Sequence, residues 1–446
     1  MKILFVSLGC DKNLVDSERM LGSLTGAGYE FTDDETEAEV IVVNTCCFIG
    51  DAKEESINTL LEMAKQKETG KCRVLIAAGC LAQRYKDEVL KEIPEVDGIL
   101  GTTSYDRIVQ VVEDTLGGKT DVEFEDINIL HEKEARRVLT TGGHYAYLKI
   151  AEGCNKHCTY CVIPSVRGKY RSVPMEALVE EAKELASGGV RELILVAQET
   201  TLYGVDLYGE KKLPALLREL AKIPGIHWIR MLYCYPEEIT DELIETIKTE
   251  EKVCNYMDIP IQHASDRILS RMGRKTNRRE ITERLTKLRE EIPDMAIRTT
   301  MITGFPGETE EDVEELLDFV DEMEFERLGV FPYSQEEGTP AAVMEDQVPD
   351  EVKEERRDRV MELQQEISLD HGQDMIGREL EVFIEGQVAD ENAYVGRTYM
   401  DAPGVDGYIF VNTGLELMSG MFVRVRVTGA LEYDLIGELC DENESA

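Results

Sequence analysis

Short apolar runs alternate with helical stretches along most of this chain, which confines it to parallel sheets flanked by helices. Over residues 1–115 the runs are Lys2–Gly9, Val40–Thr45, Val74–Gly79 and a weaker Gly98–Leu100. Helical patterns lie between them at Asp16–Gly26, Ala52–Gln66 and Gln83–Glu92. The pattern predicts an open parallel-sheet α/β domain over 1–116. A second series begins at Tyr147, with strands expected at Leu148–Glu152, Glu192–Gln198, Trp228–Tyr233, Tyr256–Gln262, Ile297–Thr303 and Arg327–Pro332. Six strands with intervening helices predict an incomplete (β/α)6 barrel over 144–370 instead of a full eight.

Between the two series, residues 117–143 carry glycines at both ends and mixed charge, the composition of a linker with room for an edge strand. A charged helix over Pro349–Asp370 leads out of the second series. From 371 to 446 the texture changes to short strands at Glu379–Glu385, Val388–Val395, Gly407–Asn412, Phe422–Thr428 and Asp434–Leu439, followed by a short tail. Five such strands predict a small antiparallel β-barrel of the oligonucleotide-binding type. The longest apolar runs are strand length, so no membrane span is expected. Met1–Cys10 reads as a strand entering a core, not as a signal peptide, and the expected location is cytoplasmic.

Eleven cysteines, an odd count in a chain of 446 residues, argue for metal ligands or catalytic thiols over a disulfide framework. The strongest signal is Cys154, Cys158 and Cys161, a C-x3-C-x2-C run directly after an expected strand. Three thiolates at this spacing wrap one corner of a 4Fe-4S cubane and leave one iron open for a substrate. A zinc site would want a fourth ligand, and His157 sits between the cysteines where it converges poorly with them. Cys10, Cys46 and Cys80 each stand at the carboxyl end of an expected strand in the first series. Residues just past those ends share one crevice of an open parallel sheet, so three distant cysteines meet there and predict a second 4Fe-4S cluster. Cys47, Cys72, Cys234, Cys254 and Cys440 are expected to be packing or surface thiols, with Cys47 turned away from its neighbour Cys46.

The C-x3-C-x2-C run, with Tyr160 before its last cysteine, resembles the radical SAM superfamily. The resemblance implies that the open iron chelates S-adenosylmethionine (SAM), that reduction releases a 5′-deoxyadenosyl radical, and that Tyr160 lies near the adenine. Ser7–Glu18, Asn44-Thr45-Cys46 and Ala78-Gly79-Cys80 further resemble the methylthiotransferases of that superfamily. That resemblance implies two 4Fe-4S clusters, SAM as radical source and methyl donor, sulfur delivered at the N-terminal cluster, a terminal TRAM barrel, and outside donors of electrons and sulfur. Gln198 after the second barrel strand and Gly304 after the fifth are SAM-contact candidates, as is Arg298, which points into the barrel or against a helix. Gln262 and His263, past the fourth strand, carry the same choice between contact and turn.

Charge bears on the substrate. The chain carries 49 basic and 90 acidic residues, a net −41. Residues 371–446 hold four basic residues (Arg378, Arg397, Arg424, Arg426) against fifteen acidic ones, a net −11. A barrel that binds RNA presents a cationic groove, so this one disfavours nucleic acid and suits a basic protein. Glu381, Glu385, Asp401 and Asp406 are the candidate steering acids. The stretch Gly396–Tyr399, with Asp401-Ala402-Pro403 and Asp406-Gly407, resembles the branch that modifies an aspartate of ribosomal protein uS12. The alternative is the branch that modifies tRNA adenosine.

Overall fold

The computed structural model describes residues 1–130, 137–389 and 392–440. Its N-terminal sheet is parallel throughout. The strands are β1 (Lys2–Ser7), β2 (Glu30–Phe31), β3 (Val40–Thr45), β4 (Val74–Gly79), β5 (Gly98–Leu100) and β6 (Asp121–Glu123), in the spatial order β2-β1-β3-β4-β5-β6. β3 and β4 are buried along their whole length, as central strands covered on both faces must be. The expected linker does supply an edge strand, β6. β2 was not expected, because two residues carry no readable periodicity. Residues 131–136 of the expected linker lie outside the described residues.

The second unit is an arc of six parallel strands: β7 (Tyr145–Lys149), β10 (Glu192–Val196), β11 (Trp228–Met231), β12 (Tyr256–Asp258), β13 (Ala296–Thr303) and β14 (Arg327–Pro332). The two halves of the arc meet through a parallel bridge between Ile229 and Val253. A two-stranded flap, β8 (Ala151–Glu152) with β9 (Arg171–Ser172), follows β7. Strand parity divides the core. Leu193 and Leu195 of β10 pack outward on the helices, whereas Ile194 and Val196 join Trp228, Tyr256 and residues of the C-terminal barrel.

That barrel closes from β15 (Glu379–Gln387), β16 (Ala393–Arg397), β17 (Ile409–Asn412), β18 (Phe422–Ala430) and β19 (Leu435–Leu439), in the order β15-β16-β17-β19-β18. Four pairings are antiparallel and β17 with β19 is parallel, which alternation alone does not reveal. The second strand starts at Ala393, not at the expected Val388, whose N–H closes the preceding turn on the Ala393 carbonyl. Asp390 and Glu391 of that expected strand lie outside the described residues, as does the tail 441–446. Helix Asp350–Asp374 joins this barrel to the arc. Among the described residues no helix is long and apolar enough to cross a membrane.

Buried ion pairs fasten the C-terminal barrel to the inner face of the arc. Glu192 receives Arg230 at 2.8 Å and Arg397 at 2.6 Å, and all three side chains are fully buried. Arg327 pairs with Asp401, while Arg298 pairs with Asp258 and Asp406. His227 meets Glu381 at 2.9 Å, and Glu385 holds the far side of Arg397. All four candidate steering acids are therefore engaged at this junction, because acids that face the arginines of the arc stay there as counter-charges.

Candidate functional site

Adjacent parallel strands β1, β3 and β4 bring Cys10, Cys46 and Cys80 to one edge of the sheet. Glycine makes the turn into two of them. Gly9 (φ +86°) and Gly79 (φ +88°) are left-handed, and a Cβ at Gly9 would stand 2.7 Å from the Cys46 Cβ. Asn13 clamps the strand ends, its side-chain N–H donating to the Leu8 carbonyl at 3.0 Å and the Thr45 carbonyl at 2.9 Å. Cys46 and Cys80 are buried and Cys10 is exposed. Burial pushes the Cys46 thiol up to about 12, and the neighbouring Cys80 and Cys10 add to the shift. Burial also raises the Cys80 thiol, opposed by the Arg167 guanidinium.

The barrel trio lies on the loop after β8. Gly153 (φ +78°) turns the chain into Cys154, and its missing Cβ makes room for the Lys169 carbonyl. The loop is held by Cys154 N–H to the Gly168 carbonyl at 3.1 Å, Cys161 N–H to the Cys158 carbonyl at 3.1 Å, and Thr159 N–H to the Met272 carbonyl at 2.9 Å. The Lys156 N–H donates to the Cys154 sulfur at 3.4 Å, and the Tyr235 hydroxyl lies 4.0 Å from the Cys158 sulfur. Burial pushes Cys154 up to about 11. Beside it, burial lifts the Glu199 carboxyl to about 7, opposed by Thr201 and Lys156.

Both trios fit a cluster by the chemistry of their donors. Each offers three soft sulfur ligands, and burial disfavours the free thiolate at Cys46, Cys80, Cys154 and Cys161, where a metal would offset the charge. Among the described residues no three metal-ligating side chains close on a single-ion position. A cubane does not need that, since each thiolate takes a different iron.

A buried polar seam joins the trios. Arg167, six residues past Cys161, reaches Asp16 at 2.6 Å, Glu152 at 3.3 Å and the Asn13 side-chain oxygen. Lys149 pairs with Asp16 and, at 2.7 Å, with Glu152. Gln198 donates to Glu152 at 2.7 Å while its own carbonyl oxygen stays buried without a partner. From the other side Tyr233 donates to Asp11 at 2.9 Å, and the Lys12 ammonium lies 3.1 Å over the Tyr233 ring. The sequence signal for this seam was the run Lys12, Asn13, Asp16, Ser17 and Glu18. All five are buried on the first helix, where an ordinary amphipathic helix would be apolar.

Tyr160 packs edge-on against Phe305 at 6.5 Å, which brings it beside Gly304. Two other candidates are corrected. Arg298 faces the arc interior, but its guanidinium is taken by Asp258 and Asp406. At Gly304 the space a Cβ would fill holds the stem of Lys353, so that glycine admits a helix and not a ligand. Gln262 is left-handed (φ +80°), and buried His263 accepts from the Ser265 N–H at 3.0 Å, so both act in the turn. Cys47 is buried in the apolar cluster that also holds Cys80, a cluster that does not include Cys46. Cys72, Cys234 and Cys254 are buried and Cys440 is partly exposed.

The family model of the Radical SAM superfamily matches residues 148–320, that of Uncharacterized protein family UPF0004 residues 2–101, and that of the TRAM domain residues 376–440. Over 437 residues the chain is 64% identical to the ribosomal protein uS12 methylthiotransferase RimO of Lachnoclostridium phytofermentans, covering 98% of this chain and 99% of that protein. The chain belongs to the RimO family. RimO of Pelotomaculum thermopropionicum is 53% identical over 439 residues, covering 98% of this chain and 99% of that one. RimO of Clostridium perfringens is 51% identical over 446 residues, covering 99% of each. Among solved structures, the radical SAM methyltransferase TsrM of Kitasatospora setae, with cobalamin and a 4Fe-4S cluster bound, covers 77% of each chain with a TM-score of 0.56 at 15% identity, a likeness of fold. As a RimO-family member the chain is a transferase that uses SAM and an iron–sulfur cluster.

Proposed function

We propose that this chain inserts a methylthio group at the β-carbon of an aspartate of ribosomal protein uS12. Two cysteine trios linked by a buried polar seam, in a chain 64% identical to a RimO, carry this reading. Cys154, Cys158 and Cys161 would hold a 4Fe-4S cluster, which would supply the electron for reductive cleavage of SAM. Cys10, Cys46 and Cys80 would hold a second, the point of sulfur delivery. Tyr160 and Phe305 wall the barrel site with apolar surface, and Gln198 offers its unpartnered oxygen to a donor on SAM. The C-terminal barrel closes the inner face of the arc and keeps water from that end. Electrons and sulfur come from outside donors. Eleven unpaired cysteines suit the reducing cytoplasm, where we place the reaction.

An anaerobic assay offering uS12 and tRNA in competition tests the substrate: methylthiolation of uS12 alone is expected, and modification of tRNA adenosine overturns the reading. Reconstituted protein is expected to hold about eight irons, four per cluster. Alanine at Cys154, Cys158 and Cys161 should leave about half of them, and nearly full retention contradicts the ligand assignment.

Glu416, Glu432 and Glu438 are exposed and enter no ion pair among the described residues, so they are the acids placed to steer a basic partner. Reversing all three to lysine should slow uS12 association roughly tenfold at low salt, with the difference vanishing at high salt as the field is screened. Equal rates at every ionic strength would reduce the charge to a solubility feature.

A further inference from the structure

We propose that Arg167 tunes the reduction potential of the N-terminal cluster by holding a buried positive charge beside the Cys80 sulfur, which makes it a positioning residue shared by both trios. The inference rests on the reading that Cys10, Cys46 and Cys80 hold that cluster.

Arg167 belongs to the barrel unit by sequence, on helix Ile163–Arg167 just past Cys161, yet its guanidinium reaches into the other unit. It is 2% exposed, bonded to Asp16 and to the Asn13 side-chain oxygen of the first helix, and its charge acts on the Cys80 thiol. Asn13 lies on the same sulfur, its side-chain oxygen 3.8 Å from it. On its near side Arg167 meets Glu152, two residues before Cys154. The four charges of the seam balance, Arg167 and Lys149 against Asp16 and Glu152, and none of their side chains is more than 7% exposed.

The sign follows from that balance. Reduction adds one negative charge to a cluster, so a buried cation beside a ligand sulfur favours the reduced form and raises the potential. Removing Arg167 leaves the seam one charge negative beside Cys80 and lowers the potential. Removing the charge of Asp16 leaves it one charge positive and raises the potential. A residue that merely riveted the two units together would give both substitutions the same sign, since each breaks the same ion pair.

The full chain carrying Cys154→Ala, Cys158→Ala and Cys161→Ala isolates the N-terminal cluster. The protein is reconstituted anaerobically, reduced stepwise with dithionite as the electron source, and followed by electron paramagnetic resonance. In this parent Arg167→Gln is expected to make reduction at least tenfold less favourable, a fall of about 59 mV for one electron. Arg167→Lys keeps the charge without the planar fork and should shift less in the same direction. Asp16→Asn should shift the opposite way. If Arg167→Gln fails to fold, the Lys and Asn arms decide alone. A parent without iron overturns the cluster reading, and this proposal with it. A parent with about four irons, whose potential ignores Arg167 or moves alike in the Gln and Asn variants, overturns this proposal alone.

Discussion

Replacing Cys10, Cys46 and Cys80 together with alanine should stop methylthio insertion while SAM cleavage continues. The two trios stand on separate scaffolds, which makes the separation possible. The loop of Cys154, Cys158 and Cys161 is held by its own backbone bonds to Gly168 and Met272, none of them from the N-terminal sheet. The other trio hangs from the ends of β1, β3 and β4, where the register of Ser7 with Asn44 and Thr45 with Gly79 keeps the strand ends aligned without the thiols. Truncating each buried cysteine removes a single sulfur, a loss of about 1 kcal/mol per site against a sheet with a continuous apolar core. The variant should therefore fold, hold about four irons, and produce 5′-deoxyadenosine in the presence of SAM and reductant. Methylthiolated uS12 should fall to background by mass spectrometry. The complementary barrel variant should lose both products. Methylthio transfer by the N-terminal variant would make those cysteines structural, and loss of 5′-deoxyadenosine from it would mean that the seam positions the barrel loop.

What the sequence disclosed and what it hid divide along physical lines. The cysteine trios were legible because a parallel sheet puts every strand's carboxyl end in one crevice, so position in the chain already implies position in space. The Gly-Cys pairs at 9–10, 79–80 and 153–154 repeat that message, since each glycine has the positive φ that turns the chain sharply off its strand. Arg298 was misassigned for the opposite reason. Parity correctly aimed it into the arc, but its partner Asp406 lies 108 residues away in another unit, and no local pattern carries that distance. Asp401 and Asp406 were misjudged in the same way. Counted as charge they looked like surface, yet three arginines on inward strand positions, Arg230, Arg298 and Arg327, demand counter-charges once the arc is capped. Arginine in the middle of a buried strand was the readable sign that something acidic must cover it.

The capping lattice sets the second large effect. Glu192→Gln should destabilise the junction of arc and C-terminal barrel by roughly 3–5 kcal/mol, because it leaves the fully buried Arg230 guanidinium without its anion and Arg397 with Glu385 alone. Burial opposes ionisation of Glu192, but Arg397 and then Arg230 outweigh it and hold the carboxyl below the usual range. A depressed native pKa makes the contribution of Glu192 fully present above its unfolded value of 4.5 and lost as pH falls through the native one. The gap between the native chain and the Gln variant should thus be wide near neutral pH and narrow in acid. The reporter is built in. Trp228, the single tryptophan, sits at this junction with Phe422 at 4.9 Å and Phe383 at 6.0 Å, so its fluorescence follows the loss of the interface directly. Arg397→Met removes one of the two cations and orphans Glu385 and the Asp401 carbonyl, so it should also be costly alone. Combined with Glu192→Gln it should cost less than the two separately, by about 1–3 kcal/mol, because the buried charges then vanish as a pair. Additive losses would mean that Glu192 and Arg397 act independently.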